Sequence, residues 1–196
     1  RSWTIVDYYG RRTPSFYPVR RAFQPLAVAI AVEAESVKVY GVNEGPDWQG
    51  SLHYGLAALG GGYPLESIQH ALLPANAATL LASFPLTEWQ RLGITRHAAF
   101  SILRDEHGRE LSRDTFLLPF FKEMDWPQAR VQVKVEAGKA TFSSASFAWR
   151  VCLDLDGERA LPDNFFDILP GIPTILPWPD ELGEPQVLRL GNLSKG

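Results

Sequence analysis

Apolar residues that recur at every second position are the feature that most restricts the fold of this chain. Val131-Gln132-Val133-Lys134-Val135 shows this period most clearly. Successive side chains of a strand point to opposite faces, so the pattern predicts a half-buried strand here. The segment 149–155 repeats the pattern and predicts a strand whose apolar face carries Trp149 into a core.

Similar short segments are distributed along the whole chain and are separated by turn residues. The further strand candidates are 26–32, 36–42, 50–59, 67–72, 77–84, 98–103, 110–118, 140–143, 173–178 and 186–190. Their spacing is typical of β-sandwiches. Sixteen glycines and fifteen prolines supply the turns, and Asp105-Glu106-His107-Gly108 has the composition of a hairpin connection.

Helical signals are few. Thr13 followed by Pro14 predicts the start of a helix that ends near Phe23, and Pro18 predicts that this helix is kinked or short. A second helix of one or two turns is predicted at Thr87-Glu88-Trp89-Gln90, because Gly93 follows as a helix end. The fold class is therefore all-β with a short N-terminal helical segment.

The segment 119–127 has no hydrophobic period and a proline at each end, which is typical of a linker between domains. We therefore predict four parts: an N-terminal segment, 1–24; a β-sandwich, 25–118; the linker, 119–127; and a second β-sandwich, 128–196. The chain begins at Arg1 without an initiator methionine or a signal peptide. We expect it to be a piece of a larger protein.

Charge and hydropathy exclude several classes of partner. The net charge of −3 lacks the basic surface that binding to nucleic acid requires. The longest segment without charged residues, 67–87, contains Gln69, His70 and Asn76, so no membrane span is expected. Cys152 is the only cysteine and cannot form an internal disulfide.

The sequence contains no nucleophile elbow, no phosphate-binding loop and no dinucleotide motif. The four histidines are isolated, so we expect turn or surface positions for them, with no metal and no cofactor. Glycoside hydrolysis uses two carboxyl groups. However, pairs such as Asp154 and Asp156 lie in predicted turns, where aspartate is a common turn former. No catalytic residue is predicted.

Trp48 and Trp178 are the tryptophans in loop-like surroundings, beside proline and aspartate. An exposed indole can stack on a sugar ring, and it can equally pack at an interface between domains. Both residues are therefore candidates for sugar contacts or for contacts between domains, and packing is the favoured interpretation.

Two motifs carry a family resemblance. The N-terminal sequence SWTIVDYYG resembles the end of the catalytic barrel in β-mannosidases of glycoside hydrolase family 2; its marker residues are Trp3, Asp7, Tyr8 and Tyr9. The sequence DNFFDILPG resembles a signature of the family's C-terminal immunoglobulin-like domain; its marker residues are Asp163, Asn164, Phe165, Phe166, Pro170 and Gly171. The two motifs occur in the expected order.

The resemblance implies that residues 1–24 are the remnant of a (β/α)₈ barrel, followed by two immunoglobulin-like sandwiches in tandem. It also implies that the two catalytic glutamates lie upstream of Arg1, because no position here matches them. The chain would then be a non-catalytic accessory region, with the catalytic barrel of its parent enzyme as its partner. That parent would hydrolyse terminal β-mannosides with retention, and the marker residues would have structural roles.

Two alternatives stay open at the level of sequence. The tryptophans are compatible with a carbohydrate-binding module that has an oligosaccharide as its partner. A stand-alone immunoglobulin-like interaction domain has the same pattern of strands.

Overall fold

The computed structural model describes residues 4–192 of the chain, so Trp3 lies outside the described residues. The chain divides into two compact units. The central unit contains residues 21–125, and the described part of the terminal unit combines residues 4–20 with residues 126–192. Antiparallel strands dominate both units, which confirms the predicted all-β fold with a short N-terminal helix.

The central unit is a sandwich of two antiparallel sheets. Its elements are β1 Leu26–Glu33, β2 Ser36–Asn43, β3 Trp48–Ala58, β4 Leu65–Leu73, β5 Ala77–Pro85, α2 Leu86–Leu92, β6 His97–Arg104 and β7 Glu110–Phe116. The three-stranded sheet has the order β1-β2-β5, and the four-stranded sheet has the order β4-β3-β6-β7. This strand arrangement is of the immunoglobulin-like type.

Period-2 burial builds the core of the central unit. In β2 every second residue is buried, including Val37 and Val39, and β3 contributes Leu52 and Leu56 from the facing sheet. Trp89 of α2 is fully buried against the same core, and its indole Nε1 donates a hydrogen bond to the carbonyl oxygen of His97, 3.2 Å away. The core is therefore closed at one end by a single short helix.

Side chains join the two sheets of the central unit at both edges. The backbone N–H groups of Val28 and Ile30 in β1 donate to Ser112 Oγ (3.0 Å) and Asp114 Oδ2 (2.8 Å) of β7. At the opposite edge, Gln69 Nε2 of β4 donates to the carbonyl oxygen of Leu81 in β5 (2.7 Å). The register between β2 and β5 shifts at Leu81, which is left without a partner residue in β2. Backbone groups that lack a partner strand are thus satisfied by side chains.

The terminal unit has shorter strands. Its elements are α1 Phe16–Ala22, of which residues 16–20 belong to this unit, and β8 Gln132–Glu136, β9 Lys139–Ser143, β10 Ala148–Val151, β11 Phe166–Ile168 and β12 Thr174–Pro177. One sheet has the order β12-β9-β8, and the other pairs β10 with β11. Tyr17 of α1 is completely buried in the core that these sheets share, together with Phe142, Phe166 and Trp178.

Three strand predictions in the terminal unit need correction. β8 is a strand, but all of its residues are exposed, including Val135 at 49%. The predicted strand 149–155 ends at Val151, because Arg150 has a φ of 50° and interrupts the alternation. Residues 186–190 form no strand, and their only bridge joins Arg189 to Cys152.

Trp149 is consequently only half-buried, although the alternation places it in the core. Its ring stacks on Trp126, with ring centroids 5.1 Å apart and an angle of 18° between the planes. Its backbone N–H donates to Asn192 Oδ1, at 2.8 Å. The bulge at Arg150 turns this tryptophan away from the buried face that Ala148 and Val151 share.

Both predicted helices exist with different bounds. α1 begins at Phe16 rather than Thr13, whose hydroxyl donates to the carbonyl oxygen of Ile5 instead of capping a helix. Pro18 lies in the first turn, where the missing N–H breaks no helical hydrogen bond. Among residues 4–192, no helix has both the length and the hydropathy that a membrane span needs.

The segment 119–127 contains a 3₁₀ turn, Phe121–Glu123, and the boundary between the units falls after Asp125. Met124 is buried, with 1% of its surface exposed. Asp125 donates its N–H to the carbonyl oxygen of Thr95, and its carboxylate accepts from the Thr95 hydroxyl, both at 2.8 Å. This part of the segment is therefore fastened to the central unit.

Candidate functional site

The first motif forms a tight hairpin at residues 6–12. The carboxylate of Asp7 accepts hydrogen bonds from the N–H groups of Tyr9 and Arg11, both at 2.9 Å, and from Arg11 Nε at 2.7 Å. Desolvation raises the pKa of this carboxyl, but the bonds from Arg11 and Tyr9 outweigh it and hold the pKa below its ordinary value. The hairpin is thus organised around an ionised aspartate.

This hairpin exposes two aromatic rings. Tyr8 is 95% exposed and Tyr9 is 78% exposed, and the two rings meet edge to face with centroids 5.4 Å apart. A cavity of about 400 Å³ lies beside Tyr9 and is lined by Tyr9, Gly10, Arg11 and Glu158. Adjacent exposed aromatic side chains on an ordered hairpin form a surface that is suited to contact with another molecule.

The second motif fixes backbone in the core of the terminal unit. The side chain of Asn164 is buried; its Oδ1 accepts from the N–H of Leu153 (2.8 Å), and its Nδ2 donates to the carbonyl oxygen of Asp154 (2.7 Å). Asp163 Oδ1 accepts from the N–H of Asn164 at 2.8 Å. Asn164 therefore replaces a neighbouring strand beyond the end of β10.

The remaining motif residues shape the chain around β11. Phe165 has a φ of 52°, so the chain turns there, and Phe166 enters the core beside Phe142. Pro170 is buried, and Gly171 has a φ of 70° and donates its N–H to the carbonyl oxygen of Ser144 at 2.9 Å. These contacts order the turn between β11 and β12.

The segment that follows the first motif contacts the loop before the second motif, although about 150 residues separate the two motifs. Arg12 donates its N–H to the carbonyl oxygen of Gly157 (2.9 Å) and a guanidinium N–H to that of Leu161 (3.3 Å). Arg20 donates to the carbonyl oxygen of Pro162, and its guanidinium lies 3.9 Å from the Asp163 carboxylate. The loop 157–163, which leads into the second motif, therefore holds residues 12–20, which follow the first motif.

Gly157 is required at this junction for two reasons. Its φ of 71° lies in the left-handed region, and a Cβ atom there would lie 2.1 Å from the carbonyl oxygen of Arg12. Asp154 supports the same loop, because its carboxylate accepts from the N–H groups of Asp156 (3.1 Å) and Arg159 (2.9 Å). The carboxylate pair Asp154 and Asp156 thus takes part in a turn.

The two candidate tryptophans lie in different environments. Trp178 is 1% exposed, and its Nε1 donates to the carbonyl oxygen of Gly183 at 2.7 Å, so this ring belongs to the core rather than to a loop surface. Trp48 begins β3 and is half-buried, and its ring lies over Gly50 and against the core of the central unit. Only Trp48 retains exposed ring surface.

A polar cluster around His53 was not predicted from the sequence. His53 is 5% exposed rather than at the surface. Its Nε2 lies 2.7 Å from Glu66 Oε1, and its Nδ1 lies 3.4 Å from a guanidinium nitrogen of Arg104. The period-2 register of β3 places His53 on the face opposite Leu52 and Leu56, which predicts an exposed side chain and gives no signal of this burial. Among residues 4–192, no group of three or more potential ligands is arranged to hold a metal ion.

Comparison with known proteins gives structural neighbours only. No protein-family model and no curated protein matches the sequence. A β-D-mannosidase from Dictyoglomus thermophilum matches with a TM-score of 0.78 and 27% identity, over 89% of this chain and 22% of the mannosidase. An exo-chitosanase from Amycolatopsis orientalis matches with a TM-score of 0.60 and 20% identity, over 89% of this chain and 26% of that enzyme. The chain thus spans about a quarter of the length of each of these neighbours.

The neighbours are glycosidases, and the described part of the chain is built mainly from antiparallel sheets. The chain therefore has the β-sandwich architecture of the matched region of these glycosidases. Within that class, it resembles the β-mannosidase-like enzymes of glycoside hydrolase family 2, as its two motifs predict.

Proposed function

We propose that this chain is a non-catalytic accessory region of a glycosidase that hydrolyses terminal β-mannosides. The observation that carries the proposal is the match to the β-D-mannosidase, which extends over 89% of this chain at a TM-score of 0.78. The same match covers 22% of the mannosidase, which leaves most of that enzyme without a counterpart here. The chemistry is assigned to a catalytic domain outside this sequence.

The role that we propose for the terminal unit is to hold the end of the catalytic domain. Residues 4–20 include most of the motif that resembles a barrel end, and Arg12 and Arg20 bind this segment to the loop 157–163. Asp7, Tyr8, Tyr9 and the second motif would then be structural. The exposed rings of Tyr8 and Tyr9 would pack against that domain, because large exposed aromatic surface favours burial.

The experiment uses the protein as cells produce it. Antibodies raised against this chain are used to precipitate the native protein, whose mass is then measured and whose activity is assayed with aryl β-mannoside, β-glucosaminide and β-galactoside substrates. We expect a polypeptide several times heavier than 21.9 kDa with β-mannosidase activity. The purified 196-residue chain, assayed in parallel, should show no turnover of any substrate.

Each half of this result tests a different part of the proposal. A heavy polypeptide that prefers the glucosaminide or galactoside would overturn the substrate assignment while retaining the accessory role. Specific turnover by the purified chain would refute its non-catalytic role. A native protein of 21.9 kDa without glycosidase activity would overturn the whole proposal.

Oligosaccharide binding by the chain itself is the second candidate, and half-buried Trp48 is the tryptophan that supports it. Titration of the purified chain with manno-oligosaccharides, followed by tryptophan fluorescence, tests it. A saturable change that Trp48→Ala removes and Trp178→Phe retains would establish binding at Trp48. A flat response up to millimolar sugar would leave Trp48 with packing alone.

A further inference from the structure

The cluster around His53 joins three strands of the four-stranded sheet. His53 lies on β3 and pairs in register with Ile68 of β4 and Ile102 of β6. Glu66 lies two residues before Ile68 and Arg104 lies two residues after Ile102, so both are on the same face as His53. The imidazole thus contacts both neighbouring strands through side chains, in addition to the backbone ladders.

The contacts of the imidazole define its protonation state. A guanidinium can only donate hydrogen bonds, so Nδ1 of His53 must accept from Arg104. Nε2 therefore carries the proton and donates it to the Glu66 carboxylate, 2.7 Å away. His53 is a neutral bridge between an anion on the edge strand β4 and a cation on β6.

Most of the groups packed around this ring disfavour its charged form. Phe100 of β6 meets it edge to face at 4.9 Å, and Tyr63, which precedes β4, lies 6.1 Å away. The positive charges of Arg104 in β6 and Arg113 in β7 disfavour a positive charge on the imidazole. The carboxylate of Glu66, whose side chain is 43% exposed, favours it. Burial is the largest influence, and together with the two arginines it lowers the pKa of His53 below 6.5.

We propose that His53 is an acid-sensitive latch that holds the edge strand β4 on the four-stranded sheet. At neutral pH the imidazole bridges Glu66 and Arg104. In acid, a proton on Nδ1 removes the acceptor of Arg104 and places two positive charges against each other. β4 is the element that opens, because it is the last strand of the sheet and forms a backbone ladder with β3 alone.

The sign of the pH dependence follows from linkage. The open state has a histidine with a pKa of about 6.5, above that of the closed state, so the open state binds more protons. The latch is fully effective above about pH 6.5 and weakens as the pH falls below it. At pH 5.5 the ratio of open to closed β4 can be at most about tenfold higher than at neutral pH. This limit is set by the pKa of about 6.5 of a free imidazole.

The test measures amide hydrogen exchange of β4 in the complete chain at pH 7.5 and pH 5.5, corrected for intrinsic exchange rates. The protection of β4 should fall several-fold at pH 5.5 in the wild type and remain unchanged in His53→Gln, which cannot titrate. The matched control His107→Gln removes a histidine with an 81% exposed side chain from the β6-β7 turn and should behave as the wild type does. Protection of β2, away from the cluster, serves as the internal reference.

A second measurement keeps the proposal testable if His53→Gln does not fold. The proton resonances of the His53 ring are titrated in the wild type, together with the exchange of β4. A midpoint below pH 6.5, accompanied by loss of β4 protection over the same range, supports the latch. A midpoint at or above 6.5, unchanged protection of β4, or an equal loss in His53→Gln would overturn it.

Discussion

In the central unit, the backbone N–H and C=O groups of the strands bind one another in long ladders. In the terminal unit, individual side chains bind many of these backbone groups instead. β1 and β2 are paired in register from Leu26 to Glu33 without interruption. β10 and β11 share two paired positions with a bulge between them. The side-chain amide of Asn164 binds the backbone of Leu153 and Asp154 beyond the end of β10, and that of Asn192 accepts from the N–H of Trp149 within β10. Short strands can therefore build a stable unit when polar side chains complete the ladder.

The difference also determines where each unit is vulnerable. A ladder shares its energy over many bonds, so the loss of one side chain removes a small part of it. In the terminal unit, a few buried side chains each satisfy several backbone groups or fill the centre of a small core. We therefore expect the largest single-residue effects in the terminal unit and smaller effects at the sheet edges of the central unit.

Trp178→Ala should give the largest effect. The indole is buried beside Phe142, and its removal leaves a cavity and an unpaired carbonyl group at Gly183. We expect a loss of about 3–5 kcal/mol in the free energy of unfolding of the terminal unit. Urea unfolding with near-ultraviolet circular dichroism measures it. Trp178→Phe keeps most of the apolar volume and should cost clearly less, and a loss below about 1 kcal/mol in Trp178→Ala would contradict the core position.

Asn164→Ala tests whether the side chain of Asn164 stabilises the unit by binding backbone groups that no neighbouring strand binds. The change leaves the N–H of Leu153 and the carbonyl of Asp154 buried without this partner. A buried group that loses its partner costs about 1–3 kcal/mol, so we expect a loss of about 2–4 kcal/mol in the terminal unit. The matched variant is Asp163→Ala, whose half-buried carboxylate binds the adjacent N–H and lies 3.9 Å from Arg20. If Asp163→Ala destabilised the unit more than Asn164→Ala, the proposed role of Asn164 would be wrong.

The central unit could be predicted from the sequence more fully than the terminal unit, for the same physical reason. Period-2 alternation reports which face of a strand is buried, and the long strands β2 and β4 follow it. It carries no information on a positive φ at Arg150 or on an asparagine that binds backbone across a gap. The sequence therefore predicted a core position for Trp149 and a strand at 186–190, and both predictions were wrong.

The sequence also predicts the two motifs of the candidate site better than the contact between their flanking segments. The motifs identified the residues at both ends of the chain, because turn chemistry and a family resemblance are local properties of sequence. Their contact through Arg12, Gly157 and Arg20 depends on tertiary packing, which no local pattern encodes. Trp178 was a surface candidate because Pro177 and Pro179 flank it, yet β12 turns its ring into the core.

Ser112→Ala should have a smaller effect, at the edge of the central unit. The hydroxyl accepts one neutral hydrogen bond from Val28 of β1, while the ladder between β1 and β2 remains intact. We expect a loss of about 1 kcal/mol in urea unfolding of the central unit. Ser101→Ala is the matched control, because Ser101 Oγ is buried without a hydrogen-bond partner and its removal should be neutral or stabilising. Equal losses in both variants would show that the hydrogen bond from Val28 to Ser112 at the edge of the sheets does not stabilise the unit.

The smallest effect is expected for Val135→Thr in β8. The segment around Val135 has the clearest alternation in the sequence, yet its side chain is 49% exposed, so the added hydroxyl stays in contact with water. A change of less than about 0.5 kcal/mol in the free energy of unfolding follows. Val39→Thr makes the same chemical change in β2 of the central unit, where Val39 is 1% exposed, and should cost about 1–3 kcal/mol because the hydroxyl is buried without an assigned partner. Urea unfolding of the two variants compares the burial of two strands with the same period. Similar losses would mean that β8 is covered in solution, and the exposed face assigned to it would then be wrong.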